Sequence, residues 1–249
     1  MLHIATPLYR TQFLDQVYNS IPRHEDIIWH ISKSKHTPAL TNDFLKDKRI
    51  RVYEVDCLDS DTVKKRNAIF DHIKDGYFFL LDDDTVFLDE AYLTYREYAD
   101  QDFIGMVIGN QKYGASSRLF PTGLPLSLSS NPETSFIDSG MVICHHSVLE
   151  HVRWASEKYY ANDVNFWCKC YSHFGNNAVK TTGRFISYYN RFGPKIRIRK
   201  KIFSMKTRID IQNPFVVKLF IYLHAPVKLY KKVFSIKTSN LNTFPPRLD

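Results

Sequence analysis

The chain predicts an α/β fold, a mostly parallel sheet flanked by helices, and three observations carry that expectation. Short apolar runs that read as strands alternate with segments whose apolar residues recur at helical spacing. One run, Y-F-F-L-L at 77–81, is apolar throughout, as a central strand covered on both faces must be. The composition, 44% hydrophobic and 24% charged over 249 residues, is that of a globular chain with a substantial core and excludes a disordered one.

Taken in order, Leu2 to Ala5 forms an apolar strand that ends at Thr6-Pro7. Phe13, Leu14, Val17 and Ile21 then recur at helical spacing. Ile27 to Ile31 and Ile50 to Val55 give the next two strands. Val63, Ile69, Phe70 and Ile73 mark a helix over 63–73, and Tyr77 to Leu81 follows as the buried strand. Ligands of such a sheet sit at the carboxyl ends of its strands. The stretch from Tyr113 to Glu133, rich in Gly, Pro and Ser, breaks this rhythm and reads as a lid, an acceptor wall or a simple connection. Cys57, Cys144, Cys168 and Cys170 show no metal or disulfide spacing and read as reduced thiols. No apolar stretch approaches the roughly 20 residues of a membrane span, and the first ten residues lack the pattern of a secretory signal. The expected location is cytoplasmic.

The buried strand runs into Asp82-Asp83-Asp84. Three adjacent carboxylates repel one another, and a divalent cation would relieve the repulsion; the competing reading is a solvated acidic turn or a helix cap. Oxygen-only ligands favour Mg²⁺ or Mn²⁺, ions that keep several waters and are completed by substrate phosphates. The chain has neither G-x-x-x-x-G-K-[ST] nor G-x-G-x-x-G, which removes P-loop and dinucleotide-binding readings of the sheet.

Four segments, in order over residues 2–190, resemble the nucleotide-sugar glycosyltransferases of the GT-A fold, in the style of the large inverting bacterial family. They are I-A-T-P-L-Y-R at 4–10, K-K-R-N-A-I-F-D-H-I-K-D-G-Y-F-F-L-L-D-D-D at 64–84, D-S-G-M-V-I at 138–143 and N-D-V-N-F-W at 162–167. The T-P-x-Y-R opening and the tryptophan of I-I-W-H-I also resemble animal glucuronosyltransferases of the same fold. The resemblance implies that Thr6, Pro7 and Tyr9 border the nucleoside with Arg10 close by, and that Arg66 and Asn67 approach the base, ribose or diphosphate. It further implies that Asp82 holds the ribose side and adjoins the metal, Asp84 binds the metal directly with Asp83 between them, and Asp138, Ser139 and Gly140 face the donor sugar. Asp163 is then the general base on the acceptor hydroxyl; the competing local reading is that Asp163 or Asn162 caps a helix. Where the family carries acidic residues after the second strand, this chain has H-I-S-K-S-K at 30–35, so Asp56 or Asp59 becomes the substitute for base recognition. The F-I-S-Y-Y-N segment at 185–190 lacks the histidine with which many relatives complete the metal. His145 and His146 read as surface or core residues.

Charge divides the chain near Arg191. Residues 1–190 carry 20 basic and 24 acidic side chains (net −4), whereas 191–249 carry 14 basic and 2 acidic (net +12). The first part is expected to be the catalytic domain. Within the second, Val216, Phe220, Leu223, Val227, Tyr230 and Phe234 fall near one helical face interrupted by Pro226, with Lys218, Lys228, Lys231 and Lys232 elsewhere. That pattern reads as a segment lying on an anionic membrane surface, or as a terminal helix with a solvated basic face; no nucleic-acid fold accompanies it.

The expected activity is therefore metal-dependent transfer from a nucleotide diphosphate sugar, most simply UDP-linked, to a glycan acceptor hydroxyl. The expected outcome is inversion, in lipopolysaccharide, O-antigen or capsule synthesis on a lipid carrier at the inner face of the membrane. A nucleotidyltransferase with the same metal carboxylates, or a non-enzymatic basic module for nucleic acid or membrane, are the alternatives.

Overall fold

A computed structural model of the chain describes residues 1–113, 137–155 and 162–189. The Gly/Pro/Ser-rich stretch after Tyr113, the boundary at Arg191 and the basic segment 191–249 lie outside the described residues.

Among the described residues, eight strands form one sheet: β1 Leu2–Pro7, β2 Ile27–Ser34, β3 Ile50–Val55, β4 Tyr77–Leu80, β5 Val86–Phe87, β6 Met106–Tyr113, β7 Val142–His145 and β8 Val179–Tyr189, in the order β3-β2-β1-β4-β7-β6-β8-β5. The four pairs β1–β2, β1–β4, β2–β3 and β6–β8 are parallel, and β7 and β5 run against the rest. The sheet is thus mostly parallel, as expected. Four helices accompany it, α1 Leu14–Ser20, α2 Thr62–Phe70, α3 Asp89–Ala99 and α4 Asn162–Phe174. The chain winds from β1 outward to β2 and β3, then returns to place β4 on the other side of β1. That reversal opens a crevice beyond the carboxyl ends of β1 and β4.

The alternation of β4 fills two cores. Phe78 and Leu80 pack on one face with Ile69 and Phe70 of α2 and Phe166 and Trp167 of α4. Tyr77 and Phe79 pack on the other with Leu14 and Val17 of α1 and Ala91 and Tyr95 of α3. Phe78, Phe79 and Leu80 are fully buried, and each such side chain contributes about 1.5–3 kcal/mol.

β3 has the bounds the sequence predicts, whereas β1 and β2 run longer because their ladder continues through Thr6↔Ile31 and Pro7↔Ser32. α2 stops three residues before Ile73. Its last turn tightens through His72 N–H to Ile69 O and Ile73 N–H to Phe70 O, and the chain then bends at Gly76. Gly76 has φ +60°, and a Cβ there would lie 2.1 Å from the Met1 carbonyl oxygen. The Ile73 side chain still packs in the core.

Candidate active site

The crevice between β1 and β4 brings the first two sequence segments together. Asp83 is buried and accepts four hydrogen bonds from the loop after β1: Tyr9 N–H at 2.6 Å and Arg10 N–H at 2.5 Å on one oxygen, and Arg10 Nε at 2.9 Å and Nη2 at 2.7 Å on the other. Such charge-assisted bonds lock the loop against the end of β4. Asp83 is thereby an anchor of the loop after β1, with both of its oxygens turned toward that loop. Arg10 also reaches Asp84 at 2.8 Å, so its guanidinium serves two carboxylates. A second tie comes from Lys65 of α2, whose buried ammonium donates to the carbonyls of Leu8 and Asp59 and so joins the ends of β1 and β3.

Beside this anchor lies a second assembly, centred on Arg66. Its Nη1 donates to Asp163 at 3.1 Å, and its Nη2 donates to Asp82 at 3.3 Å and to Ser139 Oγ at 3.1 Å. Ser139 Oγ donates in turn to the other oxygen of Asp163 at 2.6 Å. Four elements meet here: α2 supplies Arg66, the end of β4 supplies Asp82, the turn before β7 supplies Ser139, and the first turn of α4 supplies Asp163. The Arg66 side chain is 7% exposed, while Asp82 and Asp163 keep 27% and 30% of theirs open. The cation therefore forms the floor and the two carboxylates face outward.

Negative charge exceeds positive at this place. Among the described residues, Asp82, Asp83, Asp84, Asp138 and Asp163 gather here, and the cations beside them are Arg10, Arg66 and Lys65. Burial pushes the Asp82 carboxyl up to about 6, with Arg66 pulling the other way and Asp163 and Asp84 adding repulsion. Burial likewise raises Asp138, reinforced by the charges of Asp163 and Asp82, and raises Asp84 against the opposing pull of Arg10.

The donor set fits a hard divalent cation in one specific respect. Asp84 Oδ1 is buried and has no hydrogen-bond partner among the described residues, so one oxygen of a carboxylate whose other oxygen meets Arg10 stands desolvated and unbonded. No three His, Cys, Asp or Glu side chains among the described residues form a ready cage. Mg²⁺ and Mn²⁺ need none, since one or two carboxylates with waters and substrate phosphates complete them.

Other residues singled out in the sequence take different places. Thr6 is buried and its Oγ1 accepts from Trp29 Nε1 at 2.9 Å, so its side chain packs in the core. Pro7 is buried at the end of β1, and Tyr9 is 59% exposed at the rim. Asp56 is open to solvent with Lys35 at 3.5 Å, and Asp59 accepts from Thr37 Oγ1 at 2.7 Å. The Asn67 side chain is engaged by the backbone of Trp154: its amide donates to Trp154 O and its carbonyl accepts from Trp154 N–H, both at 2.9 Å. Gly140 lies where a Cβ would come within 2.6 Å of Gln111 Nε2 and 2.9 Å of Ser187 Oγ. Ser187, in the segment that lacks histidine, donates to Gly140 O at 2.5 Å. His145 and His146 sit at the opposite end of β4, beside Tyr77 and Gly76, away from the carboxylates. Sequence reasoning missed Trp154, which stacks under Arg66; nothing in V-R-W-A marks it.

No family model matches the chain, and no curated protein matches it. Solved structures do. TarS of S. aureus, a GT-A glycosyltransferase, superposes with TM-score 0.60 at 15% identity over 75% of this chain and 36% of its own. Its 1–349 form in complex with UDP-GlcNAc gives 0.61 at 15% over 90% and 67%. A mannosyltransferase from Pyrobaculum calidifontis, in complex with GDP-Man and Mn²⁺, gives 0.53 at 12% over 80% and 57%. The chain spans about a third of the first and rather more than half of the last. With its crevice at the β1–β4 reversal and carboxylates along it, the chain has the GT-A fold of nucleotide-sugar glycosyltransferases.

Proposed function

We propose that the chain is a metal-dependent glycosyltransferase that moves a sugar from a nucleotide diphosphate sugar to a hydroxyl of a glycan acceptor, with inversion at the anomeric carbon. The observation that carries this reading is the pair of outward-facing carboxylates, Asp82 and Asp163, joined by one buried arginine at the crevice of a GT-A sheet. Structures of similar fold bind UDP-GlcNAc, or GDP-Man with Mn²⁺, which supports a nucleotide-sugar donor and leaves UDP the first choice.

Each residue has a task in this chemistry. The exposed ring of Tyr9, on the loop fixed by Asp83, borders the nucleoside. Asp82 lies on the ribose side, and Asp138 and Gly140 line the donor sugar. Asp84, with Asp82 beside it, would hold Mg²⁺ or Mn²⁺, which as a Lewis acid neutralises charge growing on the leaving diphosphate. Asp163 accepts the proton of the attacking hydroxyl, work that a positioned base accelerates by roughly 10²–10⁴-fold. Inversion follows if that hydroxyl attacks from the face opposite the diphosphate. The acceptor is a surface glycan of lipopolysaccharide, O-antigen or capsule type on a lipid carrier, and residues 191–249 hold the enzyme at the anionic inner face of the membrane.

A panel of UDP-, GDP- and other nucleotide-linked sugars with Mn²⁺ tests the reading, with nucleoside diphosphate release as the signal. Metal-stimulated release from one donor supports it. Pyrophosphate release from a nucleoside triphosphate would support a nucleotidyltransferase instead, and binding of nucleic acid or vesicles with neither release would support a basic binding module.

A further inference from the structure

Trp154 is the buried side chain around which the site is assembled, and it belongs to none of the four segments that carry the resemblance. It is 3% exposed and contacts two helices at once. From α2, the Arg66 guanidinium lies over the indole with its central carbon 4.1 Å from the ring centroid. From α4, the Phe166 ring stacks on it at 4.3 Å and 24°. Phe166 is three residues after Asp163, on the same side of the helix. The Trp154 backbone is clamped as well, through the reciprocal 2.9 Å hydrogen bonds to Asn67.

These contacts divide the work of two consecutive residues. Neighbours on a helix diverge by about 100°, so Arg66 and Asn67 cannot both face the carboxylates. Arg66 does, and Asn67 instead fixes the strip of chain that supplies the indole. Arg66 Nε finds no hydrogen-bond partner among the described residues, so the guanidinium is held by the flat indole and by its outer nitrogens. Those nitrogens reach Asp163, Asp82 and Ser139. With Ser139, each oxygen of Asp163 thus has one donor, which fixes the carboxylate plane and leaves its outer lone pairs toward the crevice.

We propose that Trp154 and Asn67 are positioning residues that aim the Asp163 carboxylate through Arg66, tying the acceptor-side base to the donor-side Asp82. The proposal rests on the glycosyltransferase reading and adds the residues that set its geometry. Misplacement of a reacting group by about 1 Å costs on the order of 10²-fold in rate, so the device acts on turnover and not on donor affinity.

The test uses the full chain and the donor that wild type hydrolyses best from a panel of UDP- and GDP-linked sugars with Mn²⁺. Trp154→Leu, Trp154→Phe, Asn67→Ala and Arg66→Lys are compared for kcat, for donor affinity by titration calorimetry and for folding by circular dichroism. Trp154→Leu is expected to lower kcat roughly 10- to 100-fold with donor affinity within about twofold of wild type. Trp154→Phe, which keeps a flat ring, is expected to recover most of that loss. Arg66→Lys is expected to match Trp154→Leu, and the double variant to fall little further, because both break one linkage. Asn67→Ala is expected to lower kcat as well, and wild-type kcat in folded Trp154→Leu, or in folded Asn67→Ala if the leucine variant does not fold, would overturn the proposal. So would a fall in donor affinity as large as the fall in kcat. If wild type releases no nucleoside diphosphate from any donor, the glycosyltransferase reading itself fails and takes the proposal with it.

Discussion

Asp84 keeps one carboxylate oxygen against Arg10 and leaves the other buried with no partner among the described residues. Its neighbour Asp83 has the reverse arrangement, with both oxygens filled by the loop it anchors. The triplet D-D-D therefore contains three different residues: an outward carboxylate, an anchor and a carboxylate with one buried oxygen left unbonded. Truncating Asp84 removes the last of these. Asp84→Ala is expected to fold with an unchanged or slightly raised melting temperature in the absence of metal, since an uncompensated buried oxygen costs stability. The same variant is expected to lose Mn²⁺-stimulated donor hydrolysis by roughly 10²–10³-fold, measured as release against Mn²⁺ concentration. The sequence shows the triplet and its place after β4. It does not show which member turns inward, because that depends on where Arg10 lands after folding. The partners of Thr6 and Asn67 are illegible for the same reason: Trp29 and Trp154 are 23 and 87 residues away.

At the scale of elements, a polar chain runs from the exposed Asp75 through the buried His3 of β1 and His30 of β2 to Tyr53 of β3. Asp75 Oδ1 meets His3 Nε2, His3 Nδ1 meets His30 Nε2, and His30 Nδ1 meets Tyr53 Oη, each at 2.9 Å. Burial drives His30 down to about 3 and lowers His3 despite the pull of Asp75. The fold therefore binds fewer protons than the unfolded chain between those values and 6.5, and stability is full above pH 6.5 and falls as the pH drops toward 3. Each tenfold change in proton affinity is worth about 1.4 kcal/mol, so the loss from His30 amounts to a few kcal/mol. Thermal melts from pH 7.5 to pH 4 are expected to show this decline, and His30→Gln is expected to flatten it; an equal decline in the variant would remove His30 as its source. β3, β4 and α2 were legible in the sequence from their apolar residues, continuous in β4 and recurring at Val63, Ile69, Phe70 and Ile73 for α2. α3 was not, because its buried residues are Ala91, Thr94 and Tyr95, a stripe of small and polar side chains. β8 was not, because register shifts against β6 between Ile108 and Gln111 and a half-polar sequence erase its alternation.

Over the whole molecule, residues 1–190 carry a net of −4 and residues 191–249 a net of +12, the asymmetry on which the proposed membrane contact rests. Replacing Lys218, Lys228, Lys231 and Lys232 by Glu in the full chain is expected to abolish sedimentation with anionic vesicles while donor hydrolysis in solution stays within about twofold, each lysine contributing about 1 kcal/mol to the attraction. Unchanged sedimentation would place the membrane contact elsewhere. The order of motifs along the chain announced the fold: the first two end beyond β1 and β4, the third leads into β7 and the fourth opens α4. The site was less legible, because it forms only when β1, β4 and β7 stand side by side and bring Arg10 to Asp83 and Arg66 to Asp163. The central claim is that Asp163, held by Arg66 and Ser139, deprotonates the nucleophile at a nucleotide-sugar site. The most direct measurement compares wild type and Asp163→Asn, with Mn²⁺ and the preferred donor, for turnover and for donor affinity by calorimetry. The account predicts a loss of turnover of roughly 10²–10⁴-fold with donor affinity retained. Turnover in Asp163→Asn close to that of wild type would contradict it.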